Sequence, residues 1–201
     1  MAFVNERHWE SLENRRAAAF LLGGAIFAAD VALVGSHVAA GTEPGAFGQA
    51  LVGTAWTASF VGLLGTYPGL ANGSRWLARA SAVFAVVGGI TMAVMALASL
   101  GYSTGILGGA LSDVVMFFLP GVFLGIVFGF GSAGVATLRT GIYARSVGLL
   151  FVVLVLTFLF NIGSSIAGFG TLTTVLGVVV VLSLTKLALG YQFRTGNAPA
   201  A

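Results

Sequence analysis

The chain of 201 residues has no cysteine, one lysine, two histidines, four prolines and only 7% charged residues. The missing cysteine excludes disulfides, thiolate metal sites, iron–sulfur clusters and thiol nucleophiles together. The low charge excludes a soluble globular enzyme, because soluble domains carry roughly 25% charged residues. Nine Lys+Arg against six Asp+Glu give a pI of about 9.8, which is too sparse a basic surface for nucleic acid. What remains is apolar: 58% hydrophobic residues, thirty glycines and sixteen phenylalanines, with a mean hydropathy of +1.02. The solvent this composition suits is a lipid bilayer, and lipid is the first partner expected.

A helix crossing ~30 Å of hydrocarbon needs about 20 mostly apolar residues. Six stretches qualify, over 17–38, 47–67, 77–100, 112–138, 146–166 and 172–191. The last two are divided only by Gly163, Ser164, Ser165, Gly168 and Gly170. The fold expected is therefore all-α and polytopic: residues 1–16 as an N-terminal segment, 17–191 as a six-helix transmembrane domain, and 192–201 as a tail. Span one mimics a signal peptide, but its apolar run is too long for one and Asp30 interrupts it. It is read as retained. Phe3–Asn14 fits either a short helix lying on the membrane surface or a helical extension of span one.

Cations set the direction. Arg7, Arg15 and Arg16 precede span one, Arg75 and Arg79 follow span two, Arg139 and Arg145 follow span four, and Arg194 follows span six. The alternate loops hold no Lys or Arg. Positive loops stay cytoplasmic, so both termini are expected inside, with the spans as three successive hairpins in the cell membrane. Trp9, Tyr67, Trp76, Tyr143 and Tyr191 fall at the same inner boundary, where amphipathic rings prefer to sit. Trp56, in mid-span, does not. Arg16, Arg79 and Arg145 each open an outward span, 63 and 66 residues apart; the surrounding residues match too little to require a duplication.

Gly121, Gly125, Gly129 and Ala133 recur every fourth residue in span four. Small residues at that spacing let helices approach closely in lipid, and the ridge is read as a packing face within the chain ahead of a seam with a second copy or another membrane protein. Pro120 removes a backbone donor just before it and predicts a kink.

Ionisable groups inside hydrocarbon are costly, and each is a functional hypothesis by default. Asp30 lies 14 residues past Arg16, ~21 Å of helix, in the outer part of the membrane. His37 is on the same face nearer the edge, and Asn161 reaches a similar depth on span five. These residues and Thr57 form the candidate ligand or ion site. Asp30 reads either as a proton or cation site coupled to His37, or as a carboxyl hydrogen-bonded to Asn161, Thr54 or Thr57. Asp113 is expected to cap the start of span four. Lys186 lies about eight residues before Arg194, ~12 Å of helix, and is expected to snorkel to the inner surface. A Schiff-base lysine for a retinal-like chromophore is disfavoured by six spans instead of seven and by the lack of an acid nearby.

Enzyme templates fail. Gly131-Ser132-Ala133-Gly134 superficially matches an intramembrane serine protease, but Phe130 stands where a glycine is needed and no late-span histidine can act as base. No carboxylate cluster, HExxH or Walker sequence is present, so no metal, no cofactor and no catalysis are expected. The stretch from Gly62 through Tyr67, Pro68, Gly69 and Asn72, past Trp76 and Arg79 to Gly88-Gly89, resembles small polytopic proteins of GC-rich prokaryotes; this resemblance implies no activity. Three functions stay open: transport of a small solute, ion or proton through a polar outer vestibule around Asp30; an accessory or scaffolding membrane subunit; and a binder of a quinone, carotenoid or lipid.

Overall fold

The computed structural model describes residues 2–108 and 111–195, with side chains from residue 9 and, after the gap, from residue 115. The Asp113 cap and the end of the C-terminal tail lie outside the described residues. Every regular element described is helical. The elements are α1 (Ala2–Ala40), α2 (Ala46–Leu64), the short α3 (Tyr67–Gly73), α4 (Arg75–Ser103), α5 (Leu111–Phe123), a π-helical segment (Leu124–Phe130), α6 (Gly131–Thr140), α7 (Arg145–Ile166) and α8 (Leu172–Arg194). Among the described residues, six helices are long and apolar enough to cross a membrane, with α5, the π segment and α6 together supplying one of them. The chain is a multi-pass membrane protein. Residues 2–16 continue α1 without a break, so the N-terminal segment is an extension of span one, held where Trp9 packs on Tyr67 with ring centroids 4.6 Å apart.

The spans close into a ring. α1 packs on α2 and α8, α2 on α4, α4 on the fourth span, α6 on α7, and α7 on α8. At one end of the ring the start of α1, the α2–α3 turn, the α6–α7 loop and the end of α8 come together. Arg16 is the centre of that junction. Its guanidinium pairs with Glu13 at 2.8 Å, donates to the Tyr143 hydroxyl at 3.2 Å, and lies 5.3 and 5.0 Å from the Tyr143 and Phe193 ring centres. Tyr143 in turn donates to the Thr66 carbonyl at 3.3 Å. The segments bearing the chain's arginines thus share one end of the bundle.

The middle of the ring is filled with aromatic side chains. Trp56 touches Phe27, Phe60, Phe130 and Phe158, and the series continues through Phe151, Phe20 and Phe193 to Tyr143. Ring edges meeting ring faces contribute ~0.5–1.5 kcal/mol per pair beyond area burial. This is a packed core.

The small-residue ridge on the fourth span faces α4. A Cβ on Gly121 would meet Thr91 Oγ1 at 2.6 Å, one on Gly125 would overlap the Gly88 Cα, and Gly129 lies against Ala85. The two backbones touch where Gly125 crosses Gly88. Pro120 stays inside α5, and four residues past it the helix widens into the π form. Pro120 gives no N–H to the preceding turn, and a π turn is one way a helix absorbs such a fault.

Candidate functional site

Among the described residues, Arg16 and Tyr143 are buried at the arginine end of the bundle, and Asp30 and Lys186 are buried away from it. Asp30 on α1 is 1% exposed and Lys186 on α8 is fully buried; Asp30 Oδ1 and Lys186 Nζ have no hydrogen-bond partner among the described residues. Helix contacts place them. α8 is held close to α1 by Ser183, whose hydroxyl donates to the Gly24 carbonyl at 3.0 Å, and by Gly24 itself, where a Cβ would strike the Leu187 backbone nitrogen at 2.9 Å. With no side chain at Gly24, the next turn of α8 brings Lys186 against Phe27. Its ammonium lies 4.1 Å from the Phe27 ring centre and 3.5 Å from that of Trp56.

Lys186 therefore does not snorkel. The expectation rested on stem length alone, whereas the inward face of α8 leaves the lysine no route past Leu189, Gly190 and Phe193, all buried. The same contact sets the lysine against Phe27 on α1, the helix that carries Asp30. Asp30 is three residues beyond Phe27, ~4.5 Å of rise, yet no ion pair within 4.0 Å joins the two among the described residues. The Asp30 carboxyl sits against Gly48, where Oδ1 is 3.7 Å from the place a Cβ would occupy, together with Leu33 and Pro44. Gly48 is in the first turn of α2, so Asp30 is about one turn from the end of the bundle opposite the arginines.

The other predicted site residues lie elsewhere. His37 is half-buried and its Nδ1 shares a hydrogen bond with Thr42 at 2.7 Å, one to two turns beyond Asp30. Thr57 bonds the Gly53 carbonyl of its own helix at 2.8 Å and lines a groove with α4 residues Val86, Gly89 and Ile90, away from α1. Asn161 is half-buried on α7, and its carbonyl receives the Ser164 and Ser165 hydroxyls. Asp30, Asn161 and Thr57 do not share one cavity. Lys186 stands instead with Phe27 and Trp56, and Phe27 is about one turn of α1 before Asp30.

Burying an ammonium without a counter-ion costs several kcal/mol, and cation–π contact returns only ~2 kcal/mol in a desolvated site. An apolar residue at 186 would be cheaper, so packing alone gives no reason for the lysine. No known protein family, curated protein or solved structure matches the chain. Among the described residues, no three His, Cys, Asp or Glu side chains stand together as a metal site.

Outside the site, a groove of about 530 Å³ runs between α7 and α8, lined by Leu156, Thr157, Phe160, Thr174, Gly177 and Val181 among others. At the arginine end, burial pushes the Tyr143 phenol up to about 12, with Glu13 adding to the rise and the Arg16 charge opposing it.

Proposed function

We propose that this protein moves protons, or a small solute coupled to protons, across the cell membrane, with both termini cytoplasmic and Asp30 and Lys186 as the groups that hand the proton on. The observation that carries the reading is the pair itself: a buried acid and a buried amine, with Oδ1 and Nζ unpartnered among the described residues, on two helices that touch at Phe27. Intramembrane ionisable residues of this kind mark ion pathways and proton relays. The groups are stacked along the bundle. His37 and Glu43 lie toward the outer end, Asp30 is about a turn inside it, Lys186 is next, and the aromatic core closes the path below. In this reading the conformation is an occluded one, and parting of the outer ends of α1 and α2 near Gly48 opens the vestibule to Asp30.

The arginine distribution supports the orientation, since positive loops are retained inside. The test is proton flux into liposomes containing the purified protein and a trapped pH-sensitive dye. Wild type is expected to dissipate an imposed pH gradient faster than empty vesicles, with or without an added solute. Asp30→Asn is expected to bring the rate to the empty-vesicle level; wild-type flux in Asp30→Asn removes the proposal.

A second reading, an apolar-molecule binder, is favoured by the α7–α8 groove, whose wall is open at Gly177. Its test is the absorbance spectrum and solvent extract of the purified protein, which should contain a molecule in stoichiometric amount.

A further inference from the structure

The arginine end carries a second site, independent of Asp30 and Lys186. A cavity of about 490 Å³ lies where α6 turns into α7, lined by Thr137, Leu138, Gly141, Tyr143, Arg145 and Leu149. Three of its features favour an anion. α7 is a helix of 22 residues whose N-cap is Ala144, so no side-chain oxygen accepts from its first N–H groups; they and the helix dipole favour negative charge at this mouth. α8, by contrast, is capped by Thr171, which accepts from the Thr174 N–H at 3.2 Å. Thr137 is fully buried and its Oγ1 has no partner among the described residues, although intramembrane threonines here regularly bond the carbonyl four residues back, as Thr54, Thr57, Thr91 and Thr185 do. Arg145 is exposed, and no carboxylate pairs with it among the described residues.

The remaining walls say where such an anion comes from. Leu138 is 38% exposed and Leu149 50% exposed, so the cavity opens sideways along apolar side chains of two membrane-spanning helices. A free phosphate gains nothing from leucine walls, whereas a phospholipid lays its chains along them. Gly141, at φ +67°, ends α6 in the left-handed conformation with nothing within 4 Å of a would-be Cβ, and leaves the headgroup side unobstructed. Basic pockets between spans on the cytoplasmic side are suited to anionic headgroups.

We infer that this cavity binds the phosphate of an anionic phospholipid, held by the N-terminus of α7, the Arg145 guanidinium and the Thr137 hydroxyl.

The test uses the full chain in neutral detergent, titrated with phosphatidylglycerol, phosphatidylcholine or inorganic phosphate, with bound molecules counted by native mass spectrometry. Phosphatidylglycerol is expected to bind one copy more tightly than phosphatidylcholine. Arg145→Gln is expected to weaken that copy about fivefold, as loss of one basic contact predicts, and the near-isosteric Thr137→Val by a similar factor. Arg75→Gln, at an exposed arginine outside the cavity, should leave it unchanged. Equal binding of phosphatidylcholine, wild-type affinity in both cavity variants, or an Arg75→Gln loss as large as that of Arg145→Gln would each overturn the assignment. Inorganic phosphate binding as tightly as phosphatidylglycerol would give the cavity to a free anion and reject the lipid.

Discussion

Lys186 on the last helix places its ammonium 3.5 Å from the ring centre of Trp56 on the second span. The two residues are 130 positions apart in sequence. They meet because α8 closes the ring on α1, whose Phe27 completes the enclosure. The lysine is thereby removed from both water and lipid headgroups, with Asp30 as the nearest acid along α1. Among the described side chains, the titratable groups on the helices packed against α8 are Glu10, Glu13, Arg15, Arg16, Asp30 and His37 on α1 and Arg145 on α7; of these only Asp30 is buried away from the arginine end.

Replacing Lys186 by Met separates stability from function. Methionine fills the same elongated volume without an ammonium to desolvate, and replacing buried ionic groups by apolar ones is often neutral or stabilising by ~1–4 kcal/mol. Lys186→Met is expected to raise the thermal unfolding midpoint in detergent while losing proton flux. A lowered midpoint would show that the amine holds the core together.

The crossing of α4 and the fourth span tolerates no side chain at Gly125, where a Cβ overlaps the Gly88 backbone. Gly125→Ala is expected to destabilise by ~1–3 kcal/mol, the usual cost of overpacking. Gly131, six residues on, has nothing within 4 Å of a would-be Cβ and ordinary helical geometry. Gly131→Ala should stabilise by ~0.5–1 kcal/mol. Denaturation of both variants in mixed micelles reads the difference, which should have opposite signs.

Tyr143 gives the junction at the arginine end an alkaline limit. Its phenol titrates at about 12 in the folded chain against an ordinary value of 10.0, so between these values the folded state holds a proton that the unfolded state has released. Stability from this group is complete below pH 10 and is lost as pH rises from about 10 to 12. Tyr143→Phe should be less stable than wild type at neutral pH, having lost the bonds to Arg16 and Thr66. Its unfolding midpoint should also decline less over pH 10–12. A parallel decline in the two proteins would contradict the assignment.

The count of spans, the limits of all but the first to within a few residues, and the glycine ridge were legible in sequence because each depends on local composition and period; the first starts at least eight residues earlier than expected because the charged segment before Ala17 continues the helix. The clustering of the arginine-bearing segments at one end also follows from alternation of loops. What composition could not supply was the rotation of each helix about its axis. Thr57 and Trp56 are neighbours in sequence, yet one faces α4 and the other the core. For Lys186 a usable signal existed. Ser183 and Gly190, three residues before it and four after, mark a small-residue face of α8, and such faces pack against other helices; a lysine between them points inward. Trp56, away from the boundary where the other tryptophans sit, was the companion signal.

Asp30 and Lys186 act, in this account, as one unit, and groups that act as a unit are strongly non-additive when removed. The decisive measurement is the proton flux of wild type, Asp30→Asn, Lys186→Met and the double variant in the same liposomes. The account predicts that each single substitution lowers flux to near the empty-vesicle rate and that the double variant falls no further. Lys186→Met transporting at the wild-type rate, or two partial losses that multiply in the double variant, would contradict it.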